Sequence, residues 1–392
     1  MDDASVATGR DILFLVSTLH IGGSELKTVR LANALAGLGH RVTLAYLNGP
    51  ETLLSEVDRA VTVINLHRTG KFSLRALRAL QRLIERNHID TVVCINLYPA
   101  LYAGLLARFS RRVAGLRFIA SINTTEFGGR RSERRMLLYR PLLRAMDLLV
   151  FGAEYQRELW QRVYLGRHPP RSCVLYNGID VAHFRRDQVS AWRPPQWPAG
   201  RIVIGAVGRL RPEKSHDHLV QAVAELQRRG LDVGAVIVGE GEREAALRRL
   251  VRELGVEDRV HMSGAARDVR PYLAGFDIFA ITSTAVETFS NATLEAFAMG
   301  CPVVSSRVGG MSEMLATGGG VTYQAGNVDE LVEVLQSLIA DEQRRASCAE
   351  QARSAVVQRY SLEAMVAAFR ELISAPSAPA DPMNKKEIAG MA

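Results

Sequence analysis

The chain has 392 residues, of which 47% are apolar, enough for two or three domains with full hydrophobic cores. It carries 49 Lys and Arg against 41 Asp and Glu, a formal charge of +8. Its four cysteines are not closely spaced, so they indicate neither a zinc knuckle nor a disulfide framework and favour a reducing cytosol. The acidic, polar first ten residues do not resemble a signal peptide, and no apolar run approaches the length of a spanning helix.

Strand-like and helix-like segments alternate along the first half of the chain, which predicts a parallel sheet covered on both faces. Residues 12–16 predict the first strand, and residues 26–38 predict a helix that ends at Gly39. Further strands are predicted at 42–47, 61–66, 91–95, 118–122, 148–150 and 173–176. Together these elements predict one doubly wound domain over residues 1–186.

A second domain is predicted after residues 187–200, a linker with prolines, two tryptophans and no apolar periodicity. Its strands are expected at 202–207, 234–238, 260–262, 276–281 and 302–305. This domain spans residues 201–360, and another helix is expected over 361–374. The tail at 375–392 consists of small and polar residues and is predicted to be disordered.

Two carboxylates flank a predicted strand-to-helix junction within the sequence STAVETFSNATLEAFAMG, residues 283–300. Ser290 is the expected N-cap, and the free backbone N–H groups of the following helical turn attract phosphate. Glu287 lies on the loop before the helix, and Glu295 lies about one turn inside it. A phosphate site between two carboxylates that can bind hydroxyl groups indicates a sugar nucleotide.

Arg209 follows a predicted strand and Lys214 is expected to begin the next helix. Both cations can therefore reach the carboxyl ends of the second sheet, where open parallel sheets bind ligands. Fixed cations stabilise a departing diphosphate, so no metal is expected. The absence of an Asp-x-Asp pair agrees with this, and His216 and His218 point to different sides of a helix.

Five segments in chain order resemble the retaining glycosyltransferases of family four, which have the GT-B fold: residues 22–25 (GGSE), 177–180 (NGID), 208–214 (GRLRPEK), 283–300 and 300–304 (GCPVV). The resemblance implies an α/β protein with two Rossmann-like domains that face each other across a cleft, and a last helix that returns to the first domain. It assigns Arg209 and Lys214 to the diphosphate, Glu295 to the ribose and Glu287 to the transferred sugar. Further donor contacts are implied at Phe289, Ser290, Asn291, Gly22, Gly23 and Gly208.

The chain departs from this family at one position. Many relatives carry a histidine after the strand that corresponds to residues 118–122, whereas this chain has Asn123 in that neighbourhood. Asn123 cannot act as a base, but it can hydrogen-bond a sugar hydroxyl. We therefore assign Asn123 a role in positioning substrate.

These features predict a cytoplasmic, metal-independent, retaining hexosyltransferase that uses a nucleotide sugar, with a UDP-sugar favoured. The acceptor is expected to be a glycan or a lipid-linked glycan in the synthesis of cell-surface polysaccharide, lipopolysaccharide or glycolipid. Two alternatives remain: a noncatalytic protein that binds nucleotide sugars or glycans, and a nucleotide-sugar epimerase or phosphorylase. The residues disfavour a dinucleotide oxidoreductase and a P-loop ATPase because neither glycine signature is present.

The excess positive charge lies in the first domain. Residues 1–184 hold 25 Lys and Arg against 15 Asp and Glu, whereas the remainder holds 24 against 26. Many of these cations lie in two groups, of which the second is interleaved with apolar residues: first Arg108, Arg111, Arg112 and Arg117, and then Arg130, Arg131, Arg134, Arg135, Arg140 and Arg144. The pattern predicts either a peripheral binding surface for the anionic inner face of a membrane or a solvated basic face. Nucleic acid is not expected as a partner because no nucleic-acid motif accompanies the charge.

Overall fold

The computed structural model describes residues 9–20, 22–113, 115–125, 130–285 and 287–374, with only the backbone described for 130–135. The predicted disordered tail at 375–392 lies outside these residues. The described chain forms two parallel α/β sheets. None of the described helices combines the length and the apolar character that a bilayer crossing requires.

The N-terminal sheet has seven parallel strands in the order β3-β2-β1-β4-β5-β6-β7. The strands are β1 Asp11–Val16, β2 Arg41–Tyr46, β3 Thr62–Asn65, β4 Thr91–Ile95, β5 Arg117–Ile122, β6 Leu148–Phe151 and β7 Ser172–Val174. Helices cover both faces, as the continuous apolar character of the strands requires. The helices are α1 Gly23–Gly37, α2 Leu74–Arg86, α3 Leu97–Phe109, α4 Arg130–Leu143 and α5 Glu154–Leu159.

The C-terminal sheet has six parallel strands in the order β10-β9-β8-β11-β12-β13. The strands are β8 Ile202–Val207, β9 Val233–Val238, β10 Val260–Gly264, β11 Ile278–Ile281, β12 Val303–Ser306 and β13 Gly320–Tyr323. The helices are α6 His216–Arg228, α7 Glu244–Glu253, α8 Arg270–Gly275, α9 Asn291–Ala298, α10 Met311–Leu315, α11 Val328–Ala340, α12 Glu342–Arg359 and α13 Leu362–Ser374. In each sheet the chain order reverses beside the first strand of that domain, which creates a crevice at the carboxyl ends of the strands.

The last helix connects the two halves. Met365, Phe369 and Ile373 on α13 are buried in the core that covers β1 in the N-terminal domain. The chain crosses between domains twice, and the crossings lie side by side, because the N–H of Ile179 donates to the carbonyl of Tyr360 at 2.9 Å. The two domains are therefore joined at one edge, with the cleft between them.

The structure differs locally from the sequence-based expectations. Helix α1 begins at Gly23, three residues before the expected start, because the glycine pair adopts the N-terminal turn itself. Lys214 does not begin a helix but ends a short 3₁₀ turn, and α6 starts at His216. The edge strand β13 was not predicted, because its four residues follow two glycines and are mostly only half-buried.

Candidate active site

The cleft holds a cavity of about 420 Å³ that is lined by both domains. It lies where the strand order reverses in the C-terminal sheet, between the loops that follow β8 and β11. Most of the site residues expected from the sequence line this cavity: Gly23, Asn123, Gly208, Arg209, Lys214, Glu287, Phe289, Ser290 and Asn291. Gly22 and Glu295 are not in the lining; Gly22 is the N-cap of α1, and Glu295 lies deeper along α9.

Glu287 and Lys214 form the charged centre of the cavity. The Oε1 atom of Glu287 accepts a hydrogen bond from Ser283 Oγ at 2.7 Å and also contacts Lys214 Nζ. The Glu287 side chain is 9% exposed, whereas that of Lys214 is 31% exposed. The ion pair satisfies the nearly buried carboxylate and leaves the ammonium partly open to a ligand in the cleft.

A glycine turn fixes the backbone of Glu287. Gly309 has a φ of +54°, and a Cβ atom there would overlap the carbonyl oxygen of Glu287. The N–H of Gly310 donates to that same carbonyl at 2.9 Å. Only glycine fits this close approach, so the turn after β12 sets the position of the carboxylate. The sequence indicated a turn at Gly309 and Gly310 but not its contact with the Glu287 carbonyl.

Two helix N-termini face each other across the cavity. Ser290 is the N-cap of α9, as expected, and its Oγ accepts from the N–H of Thr293 at 3.2 Å. On the opposite side, the N-cap of α1 is Gly22, which has no side chain to cap the helix, and a Cβ on Gly23 would lie 3.2 Å from Asn291 Nδ2. Both helix starts direct partial positive charge toward the cavity, which suits a bound diphosphate.

Glu295 lies one turn into α9. Burial raises the pKa of its carboxyl to about 7, and the positive charge of Arg30 on α1 offsets part of this rise. The residue is therefore close enough to the N-terminal domain for its charge to interact with α1. A desolvated carboxylate gains stability from hydroxyl donors when a ligand supplies them.

Asn123 lies at the carboxyl end of β5 and lines the cavity from the N-terminal side. Its backbone N–H donates to Asn96 Oδ1 at 2.9 Å, which fixes the loop after the strand. The structure therefore brings Asn123 to the same cavity as Lys214 and Glu287.

Three contacts that the sequence did not reveal join the domains. The Glu313 carboxylate on α10 accepts from the N–H of Glu154, at 3.0 Å, and from the Tyr176 hydroxyl, so it caps α5 of the opposite domain. The other two contacts join Thr125 Oγ1 to Thr288 Oγ1, and Asn177 Nδ2 to Asn291 Oδ1 at 2.9 Å. No local pattern marks the threonine contact, whereas Glu313 follows a recognisable glycine turn.

The predicted basic surface is only partly within the described residues, and Arg117 does not belong to it, because its side chain is buried and donates to the carbonyl of Ile373 at 3.3 Å. The side chains of Arg130, Arg131, Arg134 and Arg135 lie outside them. On the rest of α4, Met136, Leu142 and Leu143 are core residues, but Leu137 and Leu138 are 59% and 75% exposed. At the end of α3, Phe109 is 72% exposed beside Arg108. Among the described residues, no three His, Cys, Asp or Glu side chains converge as a metal site would require.

Family models match both halves of the chain. The model described as "Glycosyltransferase Family 4" matches residues 21–183, and the model described as "Glycosyl transferases group 1" matches residues 191–355. The two matches together span most of the chain, and each covers one of the two sheets except for β1, which precedes the first match.

The chain is also similar to individual proteins along much of its length. The chain is 32% identical over 178 residues to the lipopolysaccharide core biosynthesis glycosyltransferase LpsE of Rhizobium meliloti, which is 45% of this chain and 51% of that protein. It is 28% identical over 311 residues to a GDP-mannose-dependent alpha-(1-6)-phosphatidylinositol monomannoside mannosyltransferase of Mycolicibacterium smegmatis, which is 75% of this chain and 79% of that protein. The crystal structure of Anabaena Alr3699/HepE in complex with UDP superposes with a TM-score of 0.79, at 22% identity, over 93% of this chain and 99% of that chain.

Proposed function

The chain belongs to the family-four glycosyltransferases with the GT-B fold, and from this premise we propose that it transfers a hexose from a nucleoside-diphosphate sugar to a glycan or lipid-linked glycan. The transfer retains the anomeric configuration and needs no metal. The product belongs to a cell-surface polysaccharide or glycolipid, made on the cytoplasmic side. The relatives that act on lipopolysaccharide core and on phosphatidylinositol mannosides support this class of acceptor.

One observation carries the proposal. A single cavity between the domains gathers Arg209, Lys214 and Glu287 with the N-terminus of α9. Two cations and a helix start match the charge of a diphosphate, and the adjacent carboxylate matches the hydroxyl groups of a sugar. A protein that only stores or senses glycans would not need cations directed at a leaving group.

In the proposed reaction the acceptor oxygen bonds to the anomeric carbon while the bond from that carbon to the diphosphate oxygen breaks. The leaving phosphate oxygen takes the proton of the acceptor hydroxyl on the same face of the sugar, which retains the configuration. Arg209 and Lys214 stabilise the negative charge that develops on the diphosphate. Glu287 and Asn123 hold the sugar, and Glu295 binds the ribose.

The two domains would exclude water from this reaction. Glu313, Thr125 and Asn177 already hold the cleft edges together through contacts between the domains. Exclusion of water favours transfer to a hydroxyl acceptor over hydrolysis and strengthens the electrostatic contacts within the cleft.

We propose a UDP-sugar as the first donor to test. The fold neighbour solved with UDP supports a UDP-sugar, whereas the mannosyltransferase relative uses GDP-mannose. A panel of UDP- and GDP-sugars, read as release of nucleoside diphosphate with and without glycan or lipid acceptors, tests the function directly. Acceptor-dependent release in the presence of EDTA is expected, with retained configuration in the product by NMR.

The same panel separates the alternatives. Donor binding without any release would identify a noncatalytic binding protein. A changed sugar with intact diphosphate would identify an epimerase, and a requirement for free phosphate would identify a phosphorylase. Loss of turnover in EDTA with recovery in Mg²⁺ would contradict metal independence.

We further propose that α4 contacts the anionic membrane that carries the acceptor. The support is a basic sequence with two outward-facing leucines, Leu137 and Leu138. Pelleting with vesicles that contain anionic lipid, but not with neutral vesicles, is expected at physiological salt. Leu138→Gln should weaken it, whereas Leu254→Gln, at a 40% exposed leucine of the other domain, should not. Equal pelleting of both variants, or none by the wild type, would remove this part of the proposal.

A further inference from the structure

Ser215 has an unusual backbone conformation for its residue type. It follows the 3₁₀ turn Pro212–Lys214 and has φ and ψ values of +45° and +47°, the left-handed region. A residue with a Cβ is disfavoured there by roughly 1 kcal/mol relative to glycine. Ser215 is also buried, at 6% exposure. A buried serine in this conformation calls for an interaction that compensates for the backbone cost.

The hydroxyl of Ser215 supplies that interaction. Ser215 Oγ donates to the carbonyl of Pro212 at 3.1 Å and lies 2.8 Å from Thr284 Oγ1. Because the Ser215 proton is directed at the carbonyl, the Thr284 hydroxyl is the donor in the second hydrogen bond. The side chain thus bonds its own turn and a second loop at once.

That second loop carries Glu287. Its backbone is joined to the Lys214 turn by two more hydrogen bonds, from the N–H of Thr284 to the carbonyl of Glu213 and from Thr282 Oγ1 to the carbonyl of Lys214, both at 2.9 Å. The hydroxyl pair of Ser215 and Thr284 extends this series by a side-chain bond. These hydrogen bonds fix the loop that carries Lys214 against the loop that carries Glu287.

We propose that Ser215 is a positioning residue for Lys214. Its hydroxyl locks the 3₁₀ turn against the Glu287 loop, so that the Lys214 ammonium meets both Glu287 and the departing diphosphate. A long lysine side chain can act as a fixed cation only if the backbone that carries it is fixed. This inference rests on the proposed function, because it needs the role of Lys214 in leaving-group departure.

The decisive comparison is Ser215→Ala against Ser215→Gly. Both remove the hydroxyl, but only glycine relieves the backbone strain. We expect both variants to lower kcat on the order of tenfold, with donor KM changed less than about threefold. Ser215→Gly should nevertheless unfold at a higher temperature than Ser215→Ala. The two variants should therefore differ in stability but not in kcat. If Ser215 had only a structural role, kcat would follow stability, and Ser215→Gly would be the more active variant.

Thr284→Val and a double variant complete the test. The double variant Ser215→Ala, Thr284→Val should be no slower than the slower single variant, because the hydrogen bond that Thr284→Val breaks, between Ser215 and Thr284, is already lost in Ser215→Ala. Ser337→Ala is the matched control, since Ser337 Oγ makes the same kind of bond to a carbonyl three residues back, at 2.9 Å and at an exposed position of α11. It should keep wild-type kcat.

Wild-type kcat in Ser215→Gly, or fully additive losses in the double variant, would overturn the positioning role while leaving the proposed function intact. Failure of the wild type to release nucleoside diphosphate from any sugar donor would instead overturn the proposed function, and the role of Ser215 with it.

Discussion

The two domains repeat one architecture but use the cleft differently. In the C-terminal domain, the loops after β8 and β11 carry charged side chains, and hydrogen bonds between the loops hold them together. In the N-terminal domain, the loops after β1 and β5 bring Gly23 and Asn123, one backbone group and one neutral amide. In residues 1–184 the Lys and Arg residues outnumber the Asp and Glu residues by ten, and this surplus is not concentrated at the cavity. The fold fixes where a ligand binds, and the loops decide what chemistry each side supplies.

This contrast separates two tasks. Under the proposed function, the C-terminal domain holds the activated donor, whereas the N-terminal domain closes over it and presents a surface to the acceptor. A third set of groups, including Glu313 and Thr288, joins the two domains through hydrogen bonds. Variants in the three regions should therefore fail in different ways.

Removing the charged centre should have the largest effect. Lys214→Met and Glu287→Gln are each expected to lower kcat by ~10³-fold, because a preorganised charge at the leaving group or sugar is lost. Glu244→Gln, which breaks the exposed pair with Arg248 on α7, is the matched control and should stay near wild type. Steady-state release of nucleoside diphosphate is the measurement. A decrease in kcat of less than tenfold in both variants would show that Lys214 and Glu287 are not the groups that act on the donor.

Gly309→Ala should rank second. The new Cβ would overlap the Glu287 carbonyl, so the carboxylate must move, and kcat should fall by ~10²-fold. Gly326→Ala is the control, because Gly326 also has a positive φ, +81°, but a Cβ there meets nothing within 4 Å. Both variants should lose stability, but only Gly309→Ala should lose activity out of proportion. Equal kcat in the two would show that the turn does not position Glu287.

Glu313→Gln tests the joint between the domains. The neutral amide weakens charge-assisted hydrogen bonds to the start of α5, so kcat/KM should fall about tenfold, with a larger hydrolysed fraction of donor. Small-angle scattering should give a larger radius of gyration for the free variant. Glu333→Gln, within one domain and paired with Arg229, should change neither quantity.

Asn123→Ala tests the contribution of the N-terminal domain and should lower kcat by only about three- to tenfold, the loss of one neutral hydrogen bond to substrate. Donor affinity by calorimetry should weaken in parallel. If both remain at wild-type values, Asn123 has no role in positioning substrate.

The last prediction concerns Glu295 and the stability of the fold rather than activity. At a pH below 4.5 its carboxyl is protonated in both folded and unfolded chains, whereas above its folded pKa of about 7 only the folded chain holds a desolvated carboxylate. The raised pKa therefore destabilises the fold as pH rises through this window. Glu295→Gln should gain ~2 kcal/mol relative to wild type between pH 5 and pH 8, since one pKa unit corresponds to about 1.4 kcal/mol. Chemical denaturation at both pH values measures it, and a gain independent of pH would contradict the assignment.

Several features of the fold followed from local sequence alone. Apolar runs separated by helical periodicity predicted twelve of the thirteen described strands, and the serine before an apolar helix predicted the N-cap of α9. The edge strand β13 escaped because it is short and only half-buried, so it lacks a continuous apolar run. The starts of α1 and of the helix after Lys214 were misplaced because glycine and a left-handed serine alter the turn before each helix.

The sequence by itself determined the two α/β halves and which charged residues follow which strands, because strand and helix periodicity and the spacing of loop residues are local properties. Only the tertiary structure decided that Gly309 supports the Glu287 carbonyl, that Glu313 caps a helix of the opposite domain, and that Ser215 and Thr284 join two loops. The partners in these contacts are 22, 159 and 69 positions apart, as the residue numbers give. Their pairing depends on strand order and domain closure, which no local pattern encodes.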